Sequence, residues 1–178
     1  MSEDTQQIDD ITAAVRTIAE AARAATRELA TADNDTRNKA LREAAAAIRN
    51  DADALKAENA KDMAFGRDKG LNDAMLDRLA LDDERIEAMA AGLETVADLP
   101  DPLGKTLGEW DRPNGLRISR VSVPLGVIGI IYESRPNVTA DAGGLCLKSG
   151  NAAVLRGGSE SLHSSGKIAQ CLQQGLEA

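Results

Sequence analysis

Gly126-Val127-Ile128-Gly129-Ile130-Ile131-Tyr132 runs directly into Glu133-Ser134-Arg135-Pro136-Asn137. The first stretch is apolar, β-branched and free of charge, the pattern of a buried strand in a parallel sheet. Pro136 is placed to start a helix from about Asn137 to Ser149, with Gly150 just past its end. Ala152-Ala153-Val154-Leu155 reads as a second buried strand, and Ser159 or Ser161 opens a last helix through Ile168 and Leu172. Strand, helix, strand, helix with short connections make a βαβα unit, and so an α/β fold. Ligands of such sheets sit at the carboxyl ends of the strands. Two loops therefore become the places for chemistry: residues 133–137, and Arg156-Gly157-Gly158-Ser159.

The second loop combines a fixed cation, two glycines and a hydroxyl at a strand-to-helix turn. Glycines let a ligand approach the backbone, a helix start offers free N–H groups to an anion, and arginine grips phosphate with two hydrogen bonds. The plainer reading is a tight turn with a surface arginine. No G-x-G-x-x-G dinucleotide fingerprint is present. In the first loop, Asn137 is either a donor to a developing oxyanion or an ordinary helix N-cap. Gly143 and Gly144 fall inside the predicted helix, where close packing on a neighbour would explain them. Lys148 stands where it can favour the helix end against its dipole.

Upstream, Arg117-Ile118-Ser119-Arg120-Val121-Ser122-Val123 alternates with period two, as a half-exposed strand does. Residues 107–111 are its expected partner across Arg112-Pro113-Asn114-Gly115, a strong turn signal. From Ile8 to about Leu99 the pattern is helical and alanine-rich. Ile8, Ile11, Val15, Ile18 and Ala22 form one apolar stripe. Asp33 to Thr36 break that run and cap a second helix with a break near Asn50–Asp51. Gly66 and Gly70 bracket the next stop, a short helix spans Asp73–Leu79, and Asp82 caps a helix to Val96. Nothing in this region has the spacing of a catalytic constellation; its helices pack on a core or on a partner domain.

Composition narrows the function classes. Residues 1–100 carry 22 Asp and Glu against 13 Lys and Arg, whereas residues 101–178 carry 7 against 8. The net charge of −8 argues against nucleic acid, and the near-neutral second part is the half that would welcome an anionic ligand. No apolar run approaches the roughly 20 residues that span a bilayer, and the acidic first ten residues are neither a secretory nor a transit signal. A cytoplasmic location is expected. Cys146 and Cys171 lack C-x-x-C spacing and read as packed, reduced thiols. His163 reads as an exposed residue near a helix start, and no metal site is expected.

The stretch from Val123 to Thr139, with Leu145-Cys-Leu-Lys-Ser-Gly-Asn151 and Val154-Leu-Arg-Gly-Gly-Ser-Glu160, resembles the γ-glutamyl phosphate reductases of the aldehyde dehydrogenase superfamily. The resemblance extends through Asn59-Ala-Lys-Asp62, Met75-Leu-Asp-Arg-Leu79, Leu99-Pro-Asp-Pro102 and Trp110-Asp-Arg-Pro-Asn-Gly-Leu-Arg117, so it covers nearly the whole chain. It implies a helical region over residues 1–102, a β-hairpin oligomerisation arm over 103–124, and the start of a Rossmann-like NADPH-binding domain over 125–178. The implied reaction is NADPH-dependent reduction of L-glutamate 5-phosphate to L-glutamate 5-semialdehyde in proline biosynthesis. Asn137 matches the oxyanion asparagine, Arg135 is the expected substrate contact, and Arg156, Gly157, Gly158 and Ser159 are the expected cofactor loop. Serine at 159, where NAD-preferring relatives carry glutamate, leaves room for a 2′-phosphate. Homo-oligomerisation and a glutamate 5-kinase partner are also implied. Family members run to about twice this length or more, and neither cysteine matches the nucleophile motif. The chain therefore reads as an amino-terminal portion lacking the catalytic domain, inactive in isolation. A catalytically inactive binding or interaction module is the alternative. An aldehyde or acyl-CoA dehydrogenase of other specificity is disfavoured by Glu133-Ser134-Arg135.

Overall fold

The computed structural model describes residues 3–178, with side chains from Gln7 onward. Five helices come first: α1 (Glu3–Thr31), α2 (Asn34–Asn50), α3 (Ala52–Asp68), α4 (Asp73–Leu79) and α5 (Asp83–Asp98). Short acidic or amide side chains mark three of the starts. Asp33 accepts from the Thr36 N–H at 2.7 Å, Asn72 from Met75 at 3.0 Å, and Asp82 from Arg85 at 2.8 Å. The antiparallel hairpin β1 (Thr106–Asp111) and β2 (Arg117–Val121) follows, with Trp110 opposite Ile118. Its turn closes through Gly115, whose φ of 83° only glycine adopts freely. Then come β3 (Val127–Ile131), α6 (Asn137–Lys148), β4 (Ala152–Arg156), a 3₁₀ turn at Ser159–Ser161, and α7 (Leu162–Glu177). β3 and β4 pair in parallel, Ile128 beside Ala153.

The core lies among the helices. α2 packs against α5 and α7, and α6 bridges α5 and α7. Leu41, Ile48, Leu55, Ile86, Leu93 and Ile168 are fully or almost fully buried there; each such side chain stabilises the fold by about 1.5–3 kcal/mol. Close approach is built in. A Cβ on Gly144 would lie 2.5 Å from Leu93 Cδ2, and one on Gly143 2.7 Å from Leu172 Cδ1. The two mid-helix glycines are explained by packing.

Two polar clusters tie the layers together. Lys148 is buried, and its ammonium donates to Asn34 Oδ1 (3.0 Å), Asn38 Oδ1 (2.6 Å) and the Ala97 carbonyl (2.9 Å). Burial pushes its pKa below the ordinary lysine range. Arg37 grips the Lys148 carbonyl at 2.7 Å and Asp101 at 2.9 Å. In the other cluster, buried Asn59 donates to the Leu79 carbonyl and accepts from Leu81 N–H, both at 2.8 Å. Asp62 accepts from the backbone N–H groups of His163 and Ser164 at 3.1 and 2.7 Å.

Several expectations need correction. β3 is not buried: its burial alternates, and Val127 and Ile131 are 41% and 85% exposed. Only β4 flanks it among the described residues, so one edge has no strand beside it. β2 is exposed on both faces rather than one, because no layer covers the hairpin. α3 does end between Gly66 and Gly70, at Asp68, and Gly66 sits against Leu76 and Leu79. α5 continues past Val96 to Asp98. The apolar stripe of α1 is real, yet Ile8, Ile11, Val15 and Ile18 stay more than half exposed, while the helix contacts β3 and β4.

Candidate functional site

The carboxyl ends of β3 and β4 meet side by side. Tyr132 N–H donates to the Arg156 carbonyl at 3.0 Å, which extends the strand pairing into the two loops. Beyond it, Ser134 Oγ donates to Glu160 at 2.6 Å, and Ser159 Oγ donates to the other oxygen of the same carboxylate at 2.9 Å. Those hydroxyls, Ser134 foremost, hold the Glu160 pKa below the usual carboxylate range. Gly158 permits this closure, since a Cβ there would fall onto the Ser134 hydroxyl.

Asn137 is the first residue of α6 and is exposed. No side chain caps that helix, so the ordinary N-cap reading of Asn137 does not hold. Its amide instead donates to Asp141 Oδ2 at 3.1 Å. Partial burial raises the Asp141 pKa, and the Asn137 hydrogen bond opposes the rise. Arg135 has its Nε buried without a hydrogen-bond partner; the nearest carboxylate, Glu133, is 3.3 Å away in poor alignment. An unsatisfied guanidinium N–H at a strand end is a group waiting for an acceptor.

Two open clefts flank Arg135. One, of about 370 Å³, is lined by Arg135, Asn137 and Asp141 together with Arg78, Arg85 and Met89. The other, of about 470 Å³, is lined by Arg135, Ser134, Gly158 and Glu160 with Arg78 and Met75. The structure thus brings Arg135 together with Asn137, and Arg135 together with Gly158. Arg156, Gly157 and Ser159 border neither cleft. Arg156 is exposed, and among the described residues its side chain bonds only to the neighbouring Gly157 carbonyl.

One expectation about this loop is overturned. The start of α7 does not offer free N–H groups at His163 and Ser164, because the Asp62 carboxylate already occupies them. Those two N–H groups are therefore not open to an anion at the second loop. Residues 78, 141 and 160 escaped the sequence reading. Two of them sit inside the quoted segments Met75–Leu79 and Val154–Glu160, and Asp141 lies one helical turn after Asn137. Both cysteines are buried away from the clefts. His163 is exposed as expected. Among the described residues no group of three or more His, Cys, Asp or Glu is arranged to hold a metal ion, and no helix is long and apolar enough to cross a membrane.

The fold is that of the aldehyde dehydrogenases: it superposes on an acetylating aldehyde dehydrogenase from Geobacillus thermoglucosidasius with a TM-score of 0.66, 21% identity, and coverage of 99% of this chain and 35% of that one. Within that class the chain is a relative of the γ-glutamyl phosphate reductases. It is 64% identical to the Rhodospirillum rubrum γ-glutamyl phosphate reductase over 170 residues, covering 96% of this chain and 40% of that protein. The Paramagnetospirillum magneticum reductase is 59% identical, with 95% and 40% covered. The crystal structure of the Thermotoga maritima γ-glutamyl phosphate reductase matches with a TM-score of 0.87 and 42% identity, covering 89% of this chain and 38% of that one. The chain spans about two fifths of the length of these relatives. No family model matches it.

Proposed function

We propose that this chain supplies the cofactor loop and the oxyanion donor for NADPH-dependent reduction of L-glutamate 5-phosphate to L-glutamate 5-semialdehyde, with release of phosphate, in proline biosynthesis. The observation that carries the reading is the juxtaposition of Asn137, Arg135 and the Arg156 loop at adjacent strand ends of a chain 64% identical to a γ-glutamyl phosphate reductase.

The loop fits a phosphorylated nucleotide. Arg156 has no carboxylate partner among the described residues, and Glu160 of the same loop is already bonded by two hydroxyls. NADPH, when bound, supplies the hydride. Arg156 holds the 2′-phosphate, and Gly157 and Gly158 admit the cofactor to the backbone. Asn137 donates to the oxygen of the acyl carbon as charge develops on it. Arg135 offers its guanidinium to an anionic substrate group. The nucleophilic thiol is neither Cys146 nor Cys171, whose burial raises their pKa values; it belongs to a part of the longer polypeptide outside these 178 residues. Residues 1–102, 103–124 and 125–178 then form a helical region, an arm and the start of the cofactor domain. The arm exposes Leu107, Trp110 and Ile118, which suits pairing between subunits. A cytoplasmic enzyme fed by glutamate 5-kinase completes the reading.

The test is phosphate-dependent reduction of NADP⁺ by the full-length polypeptide with glutamate 5-semialdehyde. NADPH binding with no turnover in either direction would leave a cofactor-binding module instead.

A further inference from the structure

Arg78 lies in the last turn of α4 and lines both clefts. It makes no hydrogen bond or ion pair among the described residues. Its neighbour Asp77 is not available to neutralise it, because Arg85 takes the Asp77 carboxylate at 2.8 Å and also donates to the Asp77 and Ala80 carbonyls. Arg135, whose Nε is buried without a hydrogen bond, lines both clefts as well. Arg78 has no acidic partner among the described residues, and Arg135 has Glu133 3.3 Å from its Nε without a hydrogen bond.

We propose that Arg78 and Arg135 form a two-guanidinium seat for the oxyanion end of an acidic acyl substrate. This rests on the proposed function for its substrate class and adds the residue that reads it. Guanidinium forks suit carboxylate and phosphate alike. Carboxylates set a limit on the ligand: Asp77 and Asp141 line one cleft, and Glu133 and Glu160 line the other. They disfavour a multiply anionic nucleotide and suit a small molecule that also carries an ammonium group, such as an amino acid with an acidic side chain. Without a ligand, Arg78 is an exposed arginine that can favour the end of a seven-residue helix.

The experiment titrates the full-length polypeptide separately with inorganic phosphate, glutarate and NADPH, using wild type, Arg78→Ala and Arg78→Lys, with thermal melting as a control. The expected result is that phosphate or glutarate binds to wild type and that Arg78→Ala weakens it by about ten- to a hundredfold, the loss of one bidentate charge-assisted contact. Arg78→Lys keeps the charge at the helix end and loses the fork, so it should fall between the two. If phosphate alone responds, the seat holds the acyl phosphate; if glutarate alone responds, it holds the carboxylate. Wild-type-like binding in Arg78→Ala overturns the seat, as does a wild type that binds neither anion. If Arg78→Ala does not fold, the lysine variant decides by the same criterion. Weakening of NADPH alone would transfer Arg78 to the cofactor and overturn the assignment. A wild type that binds the anion but not NADPH would sink the cofactor reading and leave this one standing.

Discussion

Asp62, near the end of α3, closes over the first turn of α7: its Oδ2 accepts from the Ser164 backbone N–H at 2.7 Å and from the Ser164 hydroxyl at 2.5 Å. The two residues are 102 positions apart, and both are fully or almost fully buried. The site that a helix start offers to a ligand is here filled by the protein itself. Asp62→Ala should lower stability by about 1–3 kcal/mol, because it strands buried N–H groups. Asp62→Asn, which keeps an acceptor, should lose less. Chemical unfolding curves on the three proteins give the comparison, and equal midpoints would show that water replaces the carboxylate at no cost.

Asn137 caps no helix, and its amide is tied only to Asp141. In the full-length enzyme, Asn137→Ala should therefore cut kcat by ~10²–10³ with little change in KM, as for removal of an oxyanion donor. Steady-state kinetics in the reducing direction separate the outcomes. A raised KM at constant kcat would assign the side chain to substrate binding alone.

Cofactor choice turns on residue 159. Ser159 now gives its hydroxyl to Glu160. Ser159→Glu would set a second carboxylate beside that one, close to where Arg156 is expected to meet the 2′-phosphate. The ratio of kcat/KM for NADPH over NADH should fall by about ten- to a hundredfold, the worth of a charge-assisted hydrogen bond. A ratio that stays put would mean that this loop does not read the 2′ position.

Both thiols should be inert at neutral pH. Burial, with the Asp51 carboxylate adding to it, pushes the Cys171 pKa up to about 11, and burial raises Cys146 as well. Native protein at pH 8 should resist a thiol reagent until it is unfolded. The sign of the linked stability follows. A thiol raised in the folded state adds stability below its unfolded pKa of roughly 8.5. That contribution fades as pH climbs toward about 11. Fast labelling of folded protein at pH 8 would contradict the burial.

The helix starts, the hairpin and the parallel strand pair were legible because short-range chemistry decides them: Asp33, Asn72 and Asp82 cap the next few residues of their own chain. The covering of β3 was not legible. A charge-free run such as 126–132 specifies that it can be buried, whereas Ile131 being 85% exposed depends on what lies across the sheet edge. The same division holds at the site. The local pattern puts Arg135, Asn137 and Gly158 at strand ends, and each lines a cleft there. Arg78 was not legible, because its nearness to Arg135 is made by packing α4 beside residues more than fifty positions away. The occupation of the α7 start by Asp62 was hidden for that reason too.

The buried ammonium of Lys148 gives α6 a mechanical character. Its three acceptors belong to α2 and to the end of α5, and Arg37 holds the carbonyl of the same residue. The helix is thus clamped at its carboxyl end, while Asn137 stands at the other, eleven residues or roughly 16 Å away along the axis. The other end is held as well: Thr139 shares a hydrogen bond of 2.7 Å with Tyr132, and Ala140 is fully buried. The aim of the Asn137 amide thus depends on two anchors, one of them a lysine that borders neither cleft.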